Sequence, residues 1–156
     1  MIDELNKKIE AGEPASVFRA IQPTFLWETV VGYLTHCADN NIGEPISILA
    51  YKLPYAEQID SITPVKEYLS ENINKEILGA DLYVTLTTKT EIKYSGKNDV
   101  LLWNVLGETT LTLFDNKKDI GVGDLLYIPK ETEYKLKAEE ANSFVLFSLG
   151  QESNGN

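Results

Sequence analysis

The sequence has few of the residues that build disulfide-linked or metal-binding proteins. Its 156 residues include one cysteine, Cys37, and one histidine, His36. A single cysteine cannot form an internal disulfide, which excludes a disulfide-stapled secreted fold. Because the chain has a single histidine, a site that needs two histidines from one chain is also excluded. His36 and Cys37 are adjacent on a predicted helix and point about 100° apart, so we interpret them as packing or surface residues and not as a ligand pair.

Positive charge and long apolar runs are also scarce. The chain has 14 Lys and Arg against 24 Asp and Glu, a formal net charge of −10, whereas a nucleic-acid surface needs clustered basic residues. No apolar run approaches the roughly 20 residues that cross a bilayer, and the charged first twelve residues do not form a signal peptide. The sequence therefore predicts a cytoplasmic protein with neither nucleic acid nor a membrane as its partner.

The first half of the chain has mixed helical and extended patterns. Apolar spacing predicts helices over Ile2–Ala11, Phe25–Asp39 and Pro64–Asn72, and strands over Ser16–Ile21 and Ile46–Leu53. Glycine at position 12 is expected to stop the first helix. In the third helix, Thr63 is the predicted N-cap and Pro64 the first helical residue, with Tyr68, Leu69 and Ile73 facing inward.

The second half has the pattern of an antiparallel β structure. Leu82, Val84 and Leu86 alternate with polar or aromatic residues, which is typical of a half-buried strand. The segment Gly121–Pro129 predicts a turn, a buried strand and then a bend. Further strands are predicted over Glu91–Tyr94, Val100–Leu106, Thr109–Phe114, Glu133–Lys137 and Ser143–Leu149. We predict one domain over residues 1–150, with a helical and mixed half at 1–78, a β core at 79–149 and a disordered tail at 151–156.

The β half resembles the cupin superfamily, and in particular the double-stranded β-helix of JmjC-like oxygenases that use iron and 2-oxoglutarate. The "GDLLYIP" element of that family is matched by Gly123–Pro129, the preceding strand by Leu101–Gly107, and the His-x-Asp segment falls at Lys93–Val100. The helix around Trp27–Leu34 is similar to the family's preceding helix. The resemblance implies a mainly β, α+β fold, a cupin-like jelly-roll barrel with N-terminal helices packed on it.

The residues that the resemblance assigns to chemistry are replaced in this chain. In the family, two histidines and one carboxylate hold Fe(II). Here the first histidine position is Lys93, the carboxylate position is Ser95 or the next residue, and the distal histidine position is Tyr134. A protonated lysine has no lone pair for a metal. The strand after Gly107 also has no Lys or Arg where the family binds the far carboxylate of 2-oxoglutarate.

The leading hypothesis is therefore a catalytically degenerate, metal-free cupin-like protein that binds a small molecule or a partner. It predicts no metal, no cofactor, no catalytic residue and no 2-oxoglutarate oxygenase activity. One alternative is a metal-free acid–base enzyme, similar to cupin-fold isomerases or epimerases, that uses Lys93 and Tyr134. Another is a structural or assembly protein that forms a homodimer through its sheet edges or through Ile2–Ala11.

Six residues are the candidates for a ligand pocket inside the predicted barrel. Three of them have a second interpretation: Lys93 could be a solvated edge lysine, Tyr134 could fill the space of a lost metal, and Trp103 could be core packing. The six candidates are Lys93, Ser95, Trp103, Asn104, Thr109 and Tyr134.

Overall fold

The structure of the chain is a computed structural model. It describes residues 2–18, 20–23, 44–47, 50–53, 62–85, 90–138 and 142–150. The predicted helix Phe25–Asp39 and the polar tail at 151–156 lie outside the described residues. None of the helices that the structure describes has the length and apolar content of a membrane span.

The first helix, α1 (Ile2–Ala11), has the bounds that the sequence predicts. Gly12 follows it with φ +68°, a left-handed conformation that glycine adopts without a steric penalty. The Gly12 N–H donates to the Ile9 carbonyl at 3.1 Å, and the Glu13 N–H donates to the Lys8 carbonyl at 3.0 Å. These two bonds form a Schellman cap, so the predicted glycine stop is confirmed.

The second described helix, α2 (Thr63–Asn72), begins one residue earlier than predicted. Its N-cap is Ile62, which makes no side-chain capping bond, and Thr63 already lies inside the helix. Pro64 lies in the first turn, where its missing N–H would have no helical partner in any case. The prediction of Thr63 as the N-cap is therefore wrong by one position.

The inward face of α2 also differs from the prediction at one residue. Leu69 and Ile73 are buried as predicted, but Tyr68 is 44% exposed. Val65 lies one turn before Leu69 and takes the remaining inward position. A stripe with a spacing of four residues thus packs on the sheet, and the neighbouring tyrosine faces solvent.

The described residues form eleven strands. Most follow the predicted bounds within two residues, and β8 was not predicted because its sequence, Asn-Lys-Lys-Asp-Ile, is mostly polar. The strands are β1 (Ala15–Val17), β2 (Glu44–Ser47), β3 (Ala50–Leu53), β4 (Ile77–Thr85), β5 (Thr90–Tyr94), β6 (Asp99–Leu106), β7 (Thr109–Leu113), β8 (Asn116–Ile120), β9 (Leu125–Ile128), β10 (Tyr134–Ala138) and β11 (Asn142–Leu149).

Two predicted strands of the first half are wrong in extent. The single strand expected over Ile46–Leu53 is instead two antiparallel strands, β2 and β3, with Glu44 opposite Lys52. The edge strand expected over Ser16–Ile21 is the shorter β1, which is indeed at the edge of its sheet. Short apolar runs of this kind do not define where a strand begins or ends.

The strands form two antiparallel sheets that pack face to face. The larger sheet has the order β1-β9-β6-β11-β4-β3-β2, and the smaller has the order β5-β10-β7-β8. The predicted mainly β jelly roll with N-terminal helices packed on it is confirmed. The predicted barrel, however, is a two-sheet sandwich and not a closed barrel.

The central strands of the larger sheet have buried residues on both faces, so the described residues form two apolar cores. On β6, Leu101, Trp103 and Val105 point to one core, while Val100 and Leu102 point to the other. We call the first the helix-side core, because it also contains Leu5 and Ile9 of α1 and Val65 and Leu69 of α2. We call the second the inter-sheet core, formed by Tyr83, Leu102, Leu111, Ile120, Leu126, Ile128, Tyr134, Leu136, Phe144 and Leu146.

The turn before β9 explains the glycine and aspartate of the "GDLLYIP" element. Gly123 has φ +91°, and its N–H donates to the Asn104 carbonyl at 2.8 Å. The Asp124 carboxylate accepts a bond from the Gly121 N–H at 2.8 Å, which closes the turn. The Ile21 N–H donates to the Gly123 carbonyl at 3.3 Å. The turn thus connects the N-terminal segment to the centre of the larger sheet, a structural role as predicted.

Candidate functional site

One end of the sandwich opens into a cavity of about 210 Å³, here called the mouth cavity. It lies where β5 and β11 end and β6 and β10 begin. The register of β6 and β11 pairs Val100 with Ser148 at this end and Leu106 with Ser143 at the opposite end. Ser95 and Tyr134 both line the mouth cavity, so the structure brings these two predicted pocket residues together.

Two buried tyrosines form the inner wall of the mouth cavity. The Tyr83 ring stacks on Phe144, with ring centroids 5.0 Å apart and an interplanar angle of 5°. Burial raises the pKa of Tyr83, and the nearby Asp81 carboxylate raises it further. Burial likewise raises the pKa of Tyr134, with a contribution from Tyr83. Both hydroxyls therefore stay protonated near neutral pH and can donate a hydrogen bond to a ligand.

Lys93 lies outside the mouth cavity. It is exposed on β5 and pairs with Lys135, the neighbour of Tyr134 on β10. Since successive side chains of a strand point to opposite faces, Lys93 and Tyr134 lie on opposite faces of the smaller sheet. The residue that pairs with Tyr134 is Tyr94, one position from the residue chosen from the sequence. The structure does not bring the proposed acid–base pair, Lys93 and Tyr134, together.

Trp103 belongs to the helix-side core and does not line the mouth cavity. Its side chain is fully buried and lies 6.5 Å from the Phe147 ring, centroid to centroid. Its Nε1–H donates to the Ile21 carbonyl at 2.8 Å. Of the two sequence interpretations, the structure supports core packing, because odd-numbered residues of β6 point toward the helices.

Asn104 and Thr109 lie at the opposite end of the sandwich from the mouth cavity. Both are buried, together with Asn142. The Asn104 Nδ2 donates to the Gly107 carbonyl at 2.6 Å, and the Asn142 Nδ2 donates to the Thr109 Oγ1. The Oδ1 atoms of the two asparagines accept no hydrogen bond from any described residue. These side chains hold the β6–β7 turn, so they do not share a site with Ser95 and Tyr134.

A polar cluster around Asp99 was not predicted from the sequence. The Tyr127 hydroxyl donates to Asp99 Oδ2 at 2.6 Å, and the Lys75 Nζ lies 3.0 Å from the same oxygen. The Lys130 N–H donates to Asp99 Oδ1 at 2.8 Å. Its members are far apart in the sequence, and no spacing pattern connects them. The cluster fastens the start of β6 to β9 and to the segment after α2.

Removing the charge of Asp99 is expected to cost stability at neutral pH and little at low pH. Burial acts to raise the pKa of Asp99, but the hydrogen bonds from Tyr127, Lys130 and Lys75 outweigh it, so the pKa lies below its ordinary value of 3.8. The stabilisation is therefore present above the unfolded-state pKa and is lost as the pH falls through the folded-state pKa. We expect Asp99→Asn to lower the free energy of unfolding by about 2 kcal/mol at pH 7.

Urea unfolding of both proteins between pH 7 and pH 2.5 measures this effect. The difference between wild type and D99N should shrink as the pH falls below about 4, the ordinary value for aspartate. A difference that stays constant over this range would contradict a charge-dependent role for Asp99.

Two larger cavities border the described residues, but their walls contain few groups that could act on a ligand. A cavity of about 660 Å³ lies between α1 and β1, where its charged residues Glu4, Lys7 and Lys8 are all exposed. A second, of about 410 Å³, lies between β1 and the β7–β8 hairpin. There the Lys118 ammonium donates to the Ser16 hydroxyl and joins the sheet edges. We place the candidate site at the smaller mouth cavity, where buried hydroxyls and a carboxylate converge.

Comparison with known proteins gives structural neighbours only. No protein-family model matches the chain, and neither does any curated protein. Among solved structures, YcfD, a ribosomal oxygenase from Escherichia coli, is similar to it with a TM-score of 0.70 over 91% of the chain. Salicylate 1,2-dioxygenase from Pseudoaminobacter salicylatoxidans is similar with a TM-score of 0.56 over 80% of the chain. The chain has a cupin fold.

The low identity and the partial coverage in these comparisons limit what the cupin fold implies about activity. Sequence identity is 11% to YcfD and 14% to the dioxygenase, so the likeness concerns the fold alone. The chain spans 49% of the length of YcfD and 32% of the length of the dioxygenase. The activities of those two proteins are therefore not transferred to this one.

The side chains placed on this cupin fold do not fit the iron and 2-oxoglutarate of the oxygenases that the sequence resembles. The described lining of the mouth cavity offers hydroxyls, one amide, one ammonium group and one carboxylate, and the chain has a single histidine against the two of the Fe(II) site. Within the described ranges, no three His, Cys, Asp or Glu side chains are grouped as a metal site. At the opposite end of the sandwich, Thr109 is the first residue of the strand after Gly107 and provides no cation for a carboxylate.

Proposed function

We propose that the protein is a catalytically degenerate, metal-free cupin that binds a small molecule in the mouth cavity. The observation that carries the proposal is the mouth cavity itself. It is an opening at one end of the cupin sandwich, and its described lining offers one carboxylate and no histidine to hold Fe(II). Groups of this kind fix the orientation of a bound ligand.

The composition of the cavity wall supports binding over catalysis. Val100, Pro129 and Leu146 give it apolar surface, and the buried hydroxyls of Tyr83 and Tyr134 give it directional contacts. An apolar wall with a few placed polar groups is typical of small-molecule sites. Below this wall the inter-sheet core is apolar and packed, with Phe144 and Leu102 at most 1% exposed. A ligand is therefore held at the mouth.

The experiment combines a test for oxygenase chemistry with a test for binding. Metal analysis of the purified protein and an assay of 2-oxoglutarate turnover address the first. Ligand-observed NMR with a library of small polar metabolites addresses the second, using wild type and Ser148→Trp, which fills the mouth cavity. We expect no turnover, and binding by wild type that S148W lowers at least 10-fold.

A matched control is Lys117→Trp, which adds the same ring to the exposed face of β8, away from the mouth cavity. It should bind as wild type does. Stoichiometric iron with 2-oxoglutarate turnover would overturn the proposal, and so would a library in which no compound distinguishes wild type from S148W. The binding of a partner and the formation of a homodimer, which the sequence analysis also suggested, remain predictions.

A further inference from the structure

The mouth cavity carries two opposite charges from two different elements. Asp81 lies on β4 of the larger sheet, and Lys97 lies in the turn between β5 and β6. Asp81 is partly buried, whereas Lys97 is exposed at the rim. The other described side chains that line it are uncharged. The wall therefore presents one negative and one positive group to a bound molecule.

This charge pattern selects among ligand classes. A molecule with two negative charges would be repelled by the Asp81 carboxylate. A molecule with two positive charges would be repelled by the Lys97 ammonium group. The net charge of −10 further disfavours the approach of anions. A ligand that carries one charge of each sign is complementary in charge to both residues at once, which separates it from simple amines and simple acids.

The volume of the mouth cavity and its uncharged lining residues limit the size and the side-chain chemistry of the ligand. A volume of about 210 Å³ corresponds to about seven water molecules at ~30 Å³ each, and it lies below the range of about 300–1,000 Å³ of drug-sized sites. Val100 and Leu146 offer contacts to a short apolar group, and the hydroxyls of Ser95 and Ser148 offer contacts to polar atoms.

From these features we infer that the mouth cavity takes a small zwitterion, the class of a free α-amino acid with a short side chain. The ammonium group is held at Asp81 and the carboxylate at Lys97. The inference rests on the proposed function, because it names the ligand class of the same cavity. No bond of the ligand is made or broken in this proposal, so the role of the protein is binding.

Isothermal titration calorimetry with a matched set of compounds tests the inference. Valine is compared with isobutylamine, which lacks the carboxylate, and with 3-methylbutanoate, which lacks the ammonium group; alanine and serine vary the side chain. We expect at least one of the three amino acids to bind. Each analogue with a single charge should bind at least 10-fold more weakly than valine if valine binds.

Charge-neutralising variants assign the two contacts. Asp81→Asn and Lys97→Gln should each lower amino-acid affinity at least 10-fold. Their matched controls, Asp115→Asn and Lys117→Gln, change exposed residues near β8 and should bind as wild type does. Circular dichroism of each variant confirms that the comparison is between folded proteins.

The outcomes separate this inference from the proposed function. If no amino acid binds but a polyol or amine binds in a manner blocked by S148W, the zwitterion inference is wrong and the proposed function stands. If D81N and K97Q leave amino-acid binding unchanged, the inference is also wrong. If no compound of any class depends on the cavity, both are overturned.

Discussion

Replacing Trp103 by alanine is expected to lower the free energy of unfolding by about 3–5 kcal/mol. The side chain is fully buried in the helix-side core, beside Phe147, and its removal leaves a cavity that the sheet cannot close. It also deletes the bond from Nε1 to the Ile21 carbonyl, which leaves a backbone acceptor without this donor. Both losses act between the larger sheet and the N-terminal segment.

Urea denaturation followed by circular dichroism measures this loss, with Trp103→Phe as the matched variant. Phenylalanine keeps most of the apolar volume and lacks the N–H, so W103F should cost clearly less than W103A. Equal costs for the two variants would show that the hydrogen bond, and not the packing, dominates. A cost below about 1 kcal/mol for W103A would contradict the placement of this residue in the core.

Replacing Gly123 by alanine is expected to cost about 2–3 kcal/mol, the second-largest effect on stability. Its φ of +91° strains any residue with a Cβ atom. A Cβ would also lie 2.6 Å from the Gln22 side chain and 3.2 Å from the Ile21 carbonyl oxygen. The side chain can move, but the carbonyl belongs to the backbone that the turn holds, so relief there requires the N-terminal segment to shift.

The matched control for this variant is Gly79→Ala on β4. A Cβ at Gly79 would meet no atom within 4 Å, and its backbone lies outside the left-handed region. G79A should therefore leave the stability unchanged or raise it slightly. The same urea titration compares the two alanine variants. Equal stabilities for G123A and G79A would contradict the strain assigned to the turn.

Much of the fold could be predicted from the sequence because its signals are local. Gly12 stops α1 through its own backbone conformation, and the Gly121–Asp124 turn precedes a continuous apolar strand. The unpredicted parts depend on tertiary contacts. The polar strand β8 exists because β7 pairs with it along five residues, and Tyr68 is exposed because Val65 fits the sheet instead. Local propensity does not contain this information.

The site was predicted less well because its composition depends on which face of a strand each side chain points to. A strand buried on both faces has no polar alternation to show which residues point inward, so Trp103 could not be separated from the pocket wall. A shift of one residue likewise separates Lys93 from the face of Tyr134. Asp81, Tyr83 and Ser148 lie on strands outside the resemblance's metal motif, and only the folded arrangement brings them beside Tyr134.

The alternation of the larger sheet has a consequence for how such a protein diverges. Val100 and Leu146 contact the mouth cavity, while their immediate neighbours Leu101 and Phe147 belong to the helix-side core. Selection can therefore change the chemistry of the opening at every second position without disturbing the surface on which the helices rest. Substitutions at these positions can therefore change which compound such a fold binds over evolution, while the fold itself is kept.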